Sequence, residues 1–104
     1  MKKSLAAVVL ILITLVLCGT HRQRRIAKTF EDSAFGTLQS DVAKELGAPW
    51  KTESCGQTFG GEVPQGCINE ELYASPFAPA MPQYWSFMYD GNGNLIDKYH
   101  YVSP

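Results

Sequence analysis

The sequence predicts an α+β domain carried on an N-terminal signal or membrane-anchor segment. Three features of the 104-residue chain predict it: an apolar run at residues 5–17, a short amphipathic helix at residues 37–46 and an aromatic β-hairpin at residues 84–102. Without the apolar segment about 80 residues remain, which is enough for one small domain with a marginal core. We therefore divide the chain into residues 1–20 and a folded part.

Residues 1–20 are typical of a targeting segment. Two lysines open it, residues 5–17 are apolar except for Thr14, and Cys18 follows. An apolar run of this length is typical of a signal peptide, and with its small flanking residues it would also serve as a short membrane anchor. We therefore expect the membrane to be a partner of the chain through this segment.

Cys18 leaves two modes of attachment open. It stands where a bacterial lipoprotein signal places the lipidated cysteine, and lipidation would go with removal of residues 1–17. Leu17 is bulkier than the residue usual at the preceding position, and cations follow the apolar run directly, so both features favour an uncleaved anchor instead. The alternatives are a lipoprotein modified at Cys18 and a chain held by its own apolar helix.

The charged residues are divided between the two parts of the chain. Six of the nine lysine and arginine side chains lie before residue 29, where there are no carboxylates. Residues 21–29 therefore form a basic connector, and the remainder holds all ten acidic side chains. Because affinity for nucleic acid needs clustered cations, the acidic body argues against a nucleic-acid partner.

Residues 35–49 contain a short helix with recognisable ends. Thr37 is placed to cap the first turn, and Gly47 followed by Pro49 ends the helix. A spacing of four residues predicts one apolar stripe, which should face the sheet. The residues of this stripe are Leu38, Val42 and Leu46.

The rest of the domain, residues 30–104, is less regular. We expect a short first helix at residues 26–34 and a first strand at residues 51–59. Residues 55–83 look like a Cys- and Pro-rich insertion, in which Glu70 and Glu71 are expected as a solvated pair. Prolines spaced by three near its end predict an extended, polyproline-like segment. We interpret it as a stiff connector along the edge of the domain, with a recognition peptide as the alternative.

Residues 84–102 predict a β-hairpin. Two aromatic strands flank residues 90–94, whose Asp, Asn and Gly side chains suit a tight turn. Most of the rings should cover the helices, since an antiparallel sheet commonly packs one face and leaves the other wet. The candidate interaction surface consists of Tyr84, Trp85, Phe87, Tyr89, Tyr99 and Tyr101.

Cys55 and Cys67 are expected to form a disulfide. Eleven residues separate them in a Gly- and Pro-rich stretch, and a cysteine pair in so small a domain is typical of an oxidising compartment. Free thiols in a cytosolic domain and a metal or catalytic use are the alternatives. Closing a loop of this length would stabilise the domain by about 3 kcal/mol in the chain-entropy model.

The sequence predicts no catalytic, cofactor-binding or metal-binding residues. Residues 90–94 have the rhythm that opens a calcium loop, but Leu95 and Tyr101 stand where that loop needs Gly and Glu. His100 is expected as an ordinary strand residue and not as a base for either loop cysteine. We therefore expect a protein that is not an enzyme.

The helix and the hairpin together resemble a known envelope family. Residues 36–49 run Gly…Asp-Val…Leu-Gly-Ala-Pro, which is similar to the second helix of the BamE/SmpA/OmlA family of small outer-membrane assembly lipoproteins and of the related BLIP-like modules. An aromatic strand followed by an Asn/Gly turn is also similar to that family. The resemblance implies two short helices packed on a small three-stranded antiparallel sheet.

The resemblance also implies a function and a place in the cell. It implies a non-enzymatic accessory or scaffold protein in outer-membrane or envelope assembly, with the domain in the periplasm and an envelope protein as partner. The alternative is a periplasmic inhibitor or ligand-binding module of the BLIP-like type. A scaffold can leave the outer face of the hairpin polar, whereas an inhibitor would expose several rings together.

Overall fold

A computed structural model describes residues 2–78 and 80–102, and in them two helices and four strands. The strands form one antiparallel sheet in the order β1-β2-β3-β4. The α+β class is confirmed, but the sheet has four strands where three were expected. The elements are α1 (Lys2–Asp32), α2 (Gln39–Leu46), β1 (Lys51–Glu53), β2 (Asn69–Ala74), β3 (Gln83–Tyr89) and β4 (Leu95–Val102).

Helix α1 joins three segments that the sequence suggested were separate. It runs without interruption through the apolar segment, the basic connector and the expected first helix. The reason is that hydropathy changes near residue 18 but no proline occurs in residues 2–32 to break the helix there. Its apolar first half is exposed, whereas Ile26 and Phe30 in the second half pack against the sheet.

Helix α2 begins two residues later than its expected cap. The Thr37 hydroxyl donates to the Ala34 carbonyl, 2.6 Å away, so it does not cap the helix. The hairpin instead supplies a hydrogen-bond acceptor to the first turn of the helix, because the Gln39 N–H donates to the Gly93 carbonyl at 2.8 Å. At the other end Gly47 adopts a φ of 75°, which explains why glycine ends this helix.

Strand β2 lies within the segment that was expected to be an insertion. It pairs with β1 on one side and with β3 on the other, so residues 69–74 are an integral part of the sheet. The prediction missed it because adjacent glutamates interrupt the apolar pattern. In addition, β1 ends at Glu53, and the following residues form turns.

The sheet has two distinct faces. Alternation along β3 turns Trp85, Phe87 and Tyr89 toward the helices, and turns Tyr84 and Ser86 to the opposite side, which we call the outer face. The predicted hairpin at residues 84–102 is confirmed, with one bulge between Met88 and Tyr89. The buried core comprises Ile26, Val42, Leu46, Tyr73, Trp85, Phe87, Tyr89 and Leu95.

The loop between β2 and β3 is a series of turns, not the extended connector that the proline spacing predicts. The Ala78 N–H donates to the Ser75 carbonyl, and the Met81 N–H donates to the Phe77 carbonyl, both at 3.0 Å. Because a polyproline-like segment has no internal hydrogen bonds, these two bonds exclude that conformation for the described part of the loop.

Candidate functional site

The predicted disulfide between Cys55 and Cys67 is present, with a Cα–Cα distance of 6.3 Å. It closes a loop of turns, residues 54–68, between β1 and β2, which we call the disulfide loop. Cys18 lies far back along α1, where it is exposed and free. The cysteines therefore divide as expected, with one pair inside the domain and one residue at the end of the apolar segment.

The disulfide loop folds back over the outer face of the sheet. Phe59 stacks on Tyr101, with ring centroids 4.5 Å apart and planes 20° from parallel, and its ring lies 5.5 Å from that of Tyr84. Ser86, on the same face, is only 1% exposed. The helices thus cover one side of the sheet, and the disulfide loop covers part of the other.

Two glutamates fasten this loop to the sheet. Glu70 is 2% exposed and accepts hydrogen bonds from the Gly56 N–H, at 3.0 Å, and from the Ser86 hydroxyl. Glu53, its cross-strand neighbour, accepts from both the N–H and the hydroxyl of Thr58. A buried carboxylate is tolerated only where donors meet it, and here three of the donors come from the loop.

The environment of Glu53 favours its charged form. Burial raises the pKa of this carboxyl, but the hydrogen bonds from Thr58 and the nearby Lys51 ammonium lower it, and the net result is a pKa below the ordinary 4.5. A lowered pKa in the folded state means that the ionised carboxylate stabilises the fold at neutral pH. That stabilisation is lost as the pH falls below 4.5 through the folded-state pKa.

Removing the Thr58 hydroxyl tests this arrangement. Thr58→Val keeps the shape of the side chain and deletes one donor to Glu53, so we expect a loss of about 1 kcal/mol of stability at pH 7. The difference from the parent should shrink as the pH falls below 4.5, because the carboxylate becomes protonated in both proteins. Urea unfolding across this pH range measures it. Gln57→Ala, at the exposed preceding position, serves as the control, and a pH-independent difference would contradict the interpretation.

Glu71 plays a similar part on the helix face of the sheet. The Gln39 amide donates to its carboxylate, and the Tyr73 hydroxyl lies 3.4 Å from it while donating to the Gly47 carbonyl at 3.0 Å. Burial, reinforced by the Glu71 charge, raises the pKa of Tyr73. These contacts tie both ends of α2 to β2. Glu70 and Glu71 are therefore buried structural residues, and the expectation of a solvated pair is wrong.

His100 occupies the helix face of β4. Its ring stacks on that of Trp85, 4.8 Å away and nearly parallel, and a ring nitrogen lies 2.7 Å from the Gln83 side-chain oxygen. Burial lowers the pKa of His100, against a smaller opposing effect of Glu31. With Cys55 and Cys67 joined in a disulfide, neither loop cysteine is a thiol that this histidine could activate. Its side chain is exposed in part and packs on Trp85 through one ring face.

Residues 90–94 form the hairpin turn. One carboxylate oxygen of Asp90 accepts from the N–H groups of Asn92 and Asn94, both at 2.9 Å. These backbone hydrogen bonds lower the pKa of Asp90. Among the described residues, no group of three or more His, Cys, Asp or Glu side chains is arranged to hold a metal ion.

The structure divides the candidate interaction surface into two groups. Trp85, Phe87 and Tyr89 are 0–1% exposed beneath the helices, so their inclusion in a surface is wrong. The other three rings lie on the outer face, where Trp50 and Phe59 join them from other segments. This group, which we call the outer aromatic face, consists of Trp50, Phe59, Tyr84, Tyr99 and Tyr101.

The outer aromatic face has exposed members and a neighbouring cavity. Trp50 is 55% exposed and Tyr99 53%. A cavity of about 340 Å³ lies between the disulfide loop and β4, and its lining includes Phe59, Glu62 and Tyr99. Sequence periodicity did not identify Trp50 or Phe59 as members of this face, because each reaches it through a turn that the periodicity does not describe.

The apolar half of α1 is the largest exposed apolar surface among the described residues. By length and composition the helix is able to cross a membrane, a property that a signal sequence shares. Its aliphatic side chains are largely exposed, for example Leu5 at 67% and Leu17 at 64%. A surface of this size normally marks a membrane or protein contact.

Comparison with protein-family models, curated proteins and solved structures gives no match for this chain. The likeness of the short helix and the hairpin to the BamE/SmpA/OmlA family therefore gains no support from these comparisons.

Proposed function

We propose that this chain is a non-enzymatic envelope protein, attached to a membrane at its N-terminal end, whose domain is an accessory or scaffold in the assembly of an envelope complex. The observation that carries the proposal is the continuity of α1. Its exposed apolar half leads, without a break, into a half that packs in the core of the domain. Membrane attachment and folding of the domain thus share one helix.

The energetics of α1 support a membrane as the partner of its first half. Burying a leucine or valine side chain is worth about 1.5–3 kcal/mol, and the exposed run holds many of them. In water this surface would drive aggregation, whereas a bilayer removes it from solvent, and the helix satisfies its own backbone hydrogen bonds there. The second half of α1 needs no such cover because the sheet already buries it.

The disulfide supports the periplasmic side of a bacterial membrane. Disulfides persist in oxidising compartments, and this one lies within the folded domain. By the positive-inside rule, the cations that follow the apolar run favour a domain on the cytoplasmic side of the membrane instead. Two of them are engaged in the fold, since Arg22 donates to the Leu46 carbonyl and Arg25 lies 3.7 Å from Glu45. A structural role thus accounts for these two charges next to the membrane.

The mass of the mature N-terminus tests the mode of attachment. We expect the native protein in the membrane fraction, either with a diacylglyceryl group on Cys18 or with an intact start at Met1 or Lys2. Lipidation is possible sterically because Cys18 is exposed. Cys18→Ser is the matched control, since it should release a lipoprotein from its lipid but leave an uncleaved anchor unaffected. A soluble, unmodified chain that begins near Gly19 would refute membrane attachment.

Affinity purification from native membranes tests the scaffold role. Mild crosslinking followed by mass spectrometry should recover a defined envelope complex with this chain as a fixed component. Tyr99→Ala, in the exposed part of the outer aromatic face, is the variant with which to probe the contact. Asn92→Ala, in the exposed hairpin turn at the far end of the sheet, is its control. If both the Tyr99→Ala variant and the Asn92→Ala control are recovered without any partner protein, the result counts against a scaffold.

A ligand-binding or inhibitory module is the second candidate function. The observation that favours it is the outer aromatic face, because Trp50 and Tyr99 are more than half exposed and the neighbouring cavity is lined in part by aromatic rings. Aromatic anchors of this kind dominate the energetics of many protein interfaces. An inhibitor would be recovered with one enzyme and would lower its activity on addition, whereas a scaffold would be recovered with several assembly components.

A further inference from the structure

We infer that the end of the domain nearest the apolar half of α1 is itself seated in the membrane interface, so that the protein contacts the bilayer at a second place. This inference rests on the proposed membrane attachment and goes beyond it. The surface in question, which we call the proximal end, consists of Trp50, Pro76, Phe77, Met81 and Val102. The occupant is the headgroup and upper acyl region of the same bilayer.

The strand register gathers these residues at one end of the sheet. Ala74 at the end of β2 pairs with Tyr84 at the start of β3, and Gln83 pairs with Val102 at the end of β4. β1 begins at this end as well, which brings the Trp50 ring to 5.2 Å from that of Tyr84. The hairpin turn at residues 90–94 lies at the opposite end.

Two contacts fix the proximal end beside the last turn of the apolar segment. Phe77 packs so closely on Gly19 that a Cβ at that position would lie 2.9 Å from the ring. One turn further along α1, the Ser75 hydroxyl donates to the Gln23 side-chain oxygen at 2.6 Å. The β2–β3 loop is therefore held at the level of residues 19–23, where the chain changes from apolar to polar.

The length of the apolar run then determines how close the β2–β3 loop lies to the bilayer. Residues 5–17 form a helix of about 20 Å, whereas the hydrocarbon core of a bilayer is about 30 Å thick. A short span draws its flanking residues toward the membrane or thins the bilayer around them. Lipidation would have the same consequence, since an acylated Cys18 lies next to Gly19. In both cases the β2–β3 loop meets the interface.

The chemistry of the proximal end matches that environment. Met81 is 69% exposed, Val102 58% and Trp50 55%, so the surface presents apolar and aromatic side chains to its surroundings. Residues 72–89 contain no charged side chain, although the rest of the domain is acidic. Tryptophan and apolar residues are enriched where proteins meet the membrane interface. A bilayer is favoured over a protein partner because the surface continues directly from the apolar half of α1.

Fluorescence quenching by lipid tests the inference. The full chain is reconstituted in phosphatidylcholine and phosphatidylglycerol vesicles whose acyl chains are brominated near the headgroup. Trp50→Phe leaves Trp85 as a buried background emitter, and in that background Met81→Trp reports on the proximal end and Asn92→Trp on the hairpin turn. Both substitutions are at exposed positions. We expect the brominated lipid to quench the added Met81→Trp emission, because a tryptophan at the membrane interface lies beside the brominated part of the acyl chains, and to leave the Asn92→Trp emission unchanged.

The outcomes separate this inference from the proposed function. If the chain does not float with the vesicles, membrane attachment itself is refuted. If the chain floats with the vesicles but the Met81→Trp emission is not quenched, membrane attachment stands and the inference is overturned. That result is also the one expected if a protein, and not the bilayer, covers the proximal end. Equal quenching at Asn92→Trp also overturns it. Val102→Trp is a second reporter at the proximal end and should be quenched as Met81→Trp is.

Discussion

Val42→Asp is expected to unfold the domain. Val42 is 1% exposed in α2 and belongs to the core cluster beneath the sheet's aromatic rings. The substitution removes an apolar side chain and places a carboxylate where the core offers apolar neighbours. We expect a loss of about 4 kcal/mol or more, at the upper end of what single substitutions do. A domain of this size has little more stability than that to lose.

Urea unfolding of the full chain in detergent, with the disulfide intact, measures this effect. The emission of the buried Trp85 follows the transition. Val42→Ala should cost less, because it leaves a cavity but no charge. Asp41→Ala, at the neighbouring exposed position, should change stability only slightly. Leu46→Asp is a less clean test, since Arg22 lies at the carbonyl of that residue. Equal stability of Val42→Asp and the parent would show that α2 does not pack as described.

The short helix and the hairpin were predictable because their signals are local. A spacing of four residues identified Val42 and Leu46, both of which are buried, and Gly47 ends the helix as expected. The Asp and Gly residues of the turn fixed the hairpin. Leu38, the third member of the stripe, is 45% exposed because it lies before the first turn and bridges to Asn94.

Strand β2 was not predictable from local pattern because its polar residues find their partners far away in the chain. Glu70 is satisfied by Gly56 and Ser86, and Glu71 by Gln39, which lies 32 residues earlier. Each carboxylate is buried only because the fold brings these donors to it. Taken alone, two adjacent glutamates indicate a solvated loop, and the sheet was therefore predicted with three strands and not the four it has.

The candidate site was predictable only in part, because local patterns can be recognised in the sequence and contacts between distant residues cannot. Alternation along the hairpin separates its rings into two faces, but it does not say which face the helices cover. The disulfide pairing followed from cysteine count and context. What the disulfide loop does could not be read from the sequence, since its cover of the outer face depends on Phe59, Glu53 and Glu70 meeting in three dimensions.

Loss of the disulfide is expected to be the second most damaging change. The double substitution Cys55→Ser and Cys67→Ser removes the crosslink between two residues that are 12 positions apart in sequence, and so opens the disulfide loop. The chain-entropy model gives a loss of about 3 kcal/mol from the added freedom of the unfolded state. The loop also supplies donors to Glu53 and Glu70, so when it opens these carboxylates lose hydrogen bonds as well. Urea unfolding of the double variant measures the loss.

Cys18→Ser is the matched control, because Cys18 is exposed and free and its replacement should leave the stability of the domain unchanged. Thiol labelling of the intact envelope fraction gives an independent measurement. Without reduction, neither Cys55 nor Cys67 should react, and after reduction under denaturing conditions both should. Free labelling of both cysteines before reduction would remove the main support for a periplasmic domain. A double variant as stable as the parent would instead mean that the glutamate contacts hold the loop without the disulfide, since they are the remaining bonds between loop and sheet.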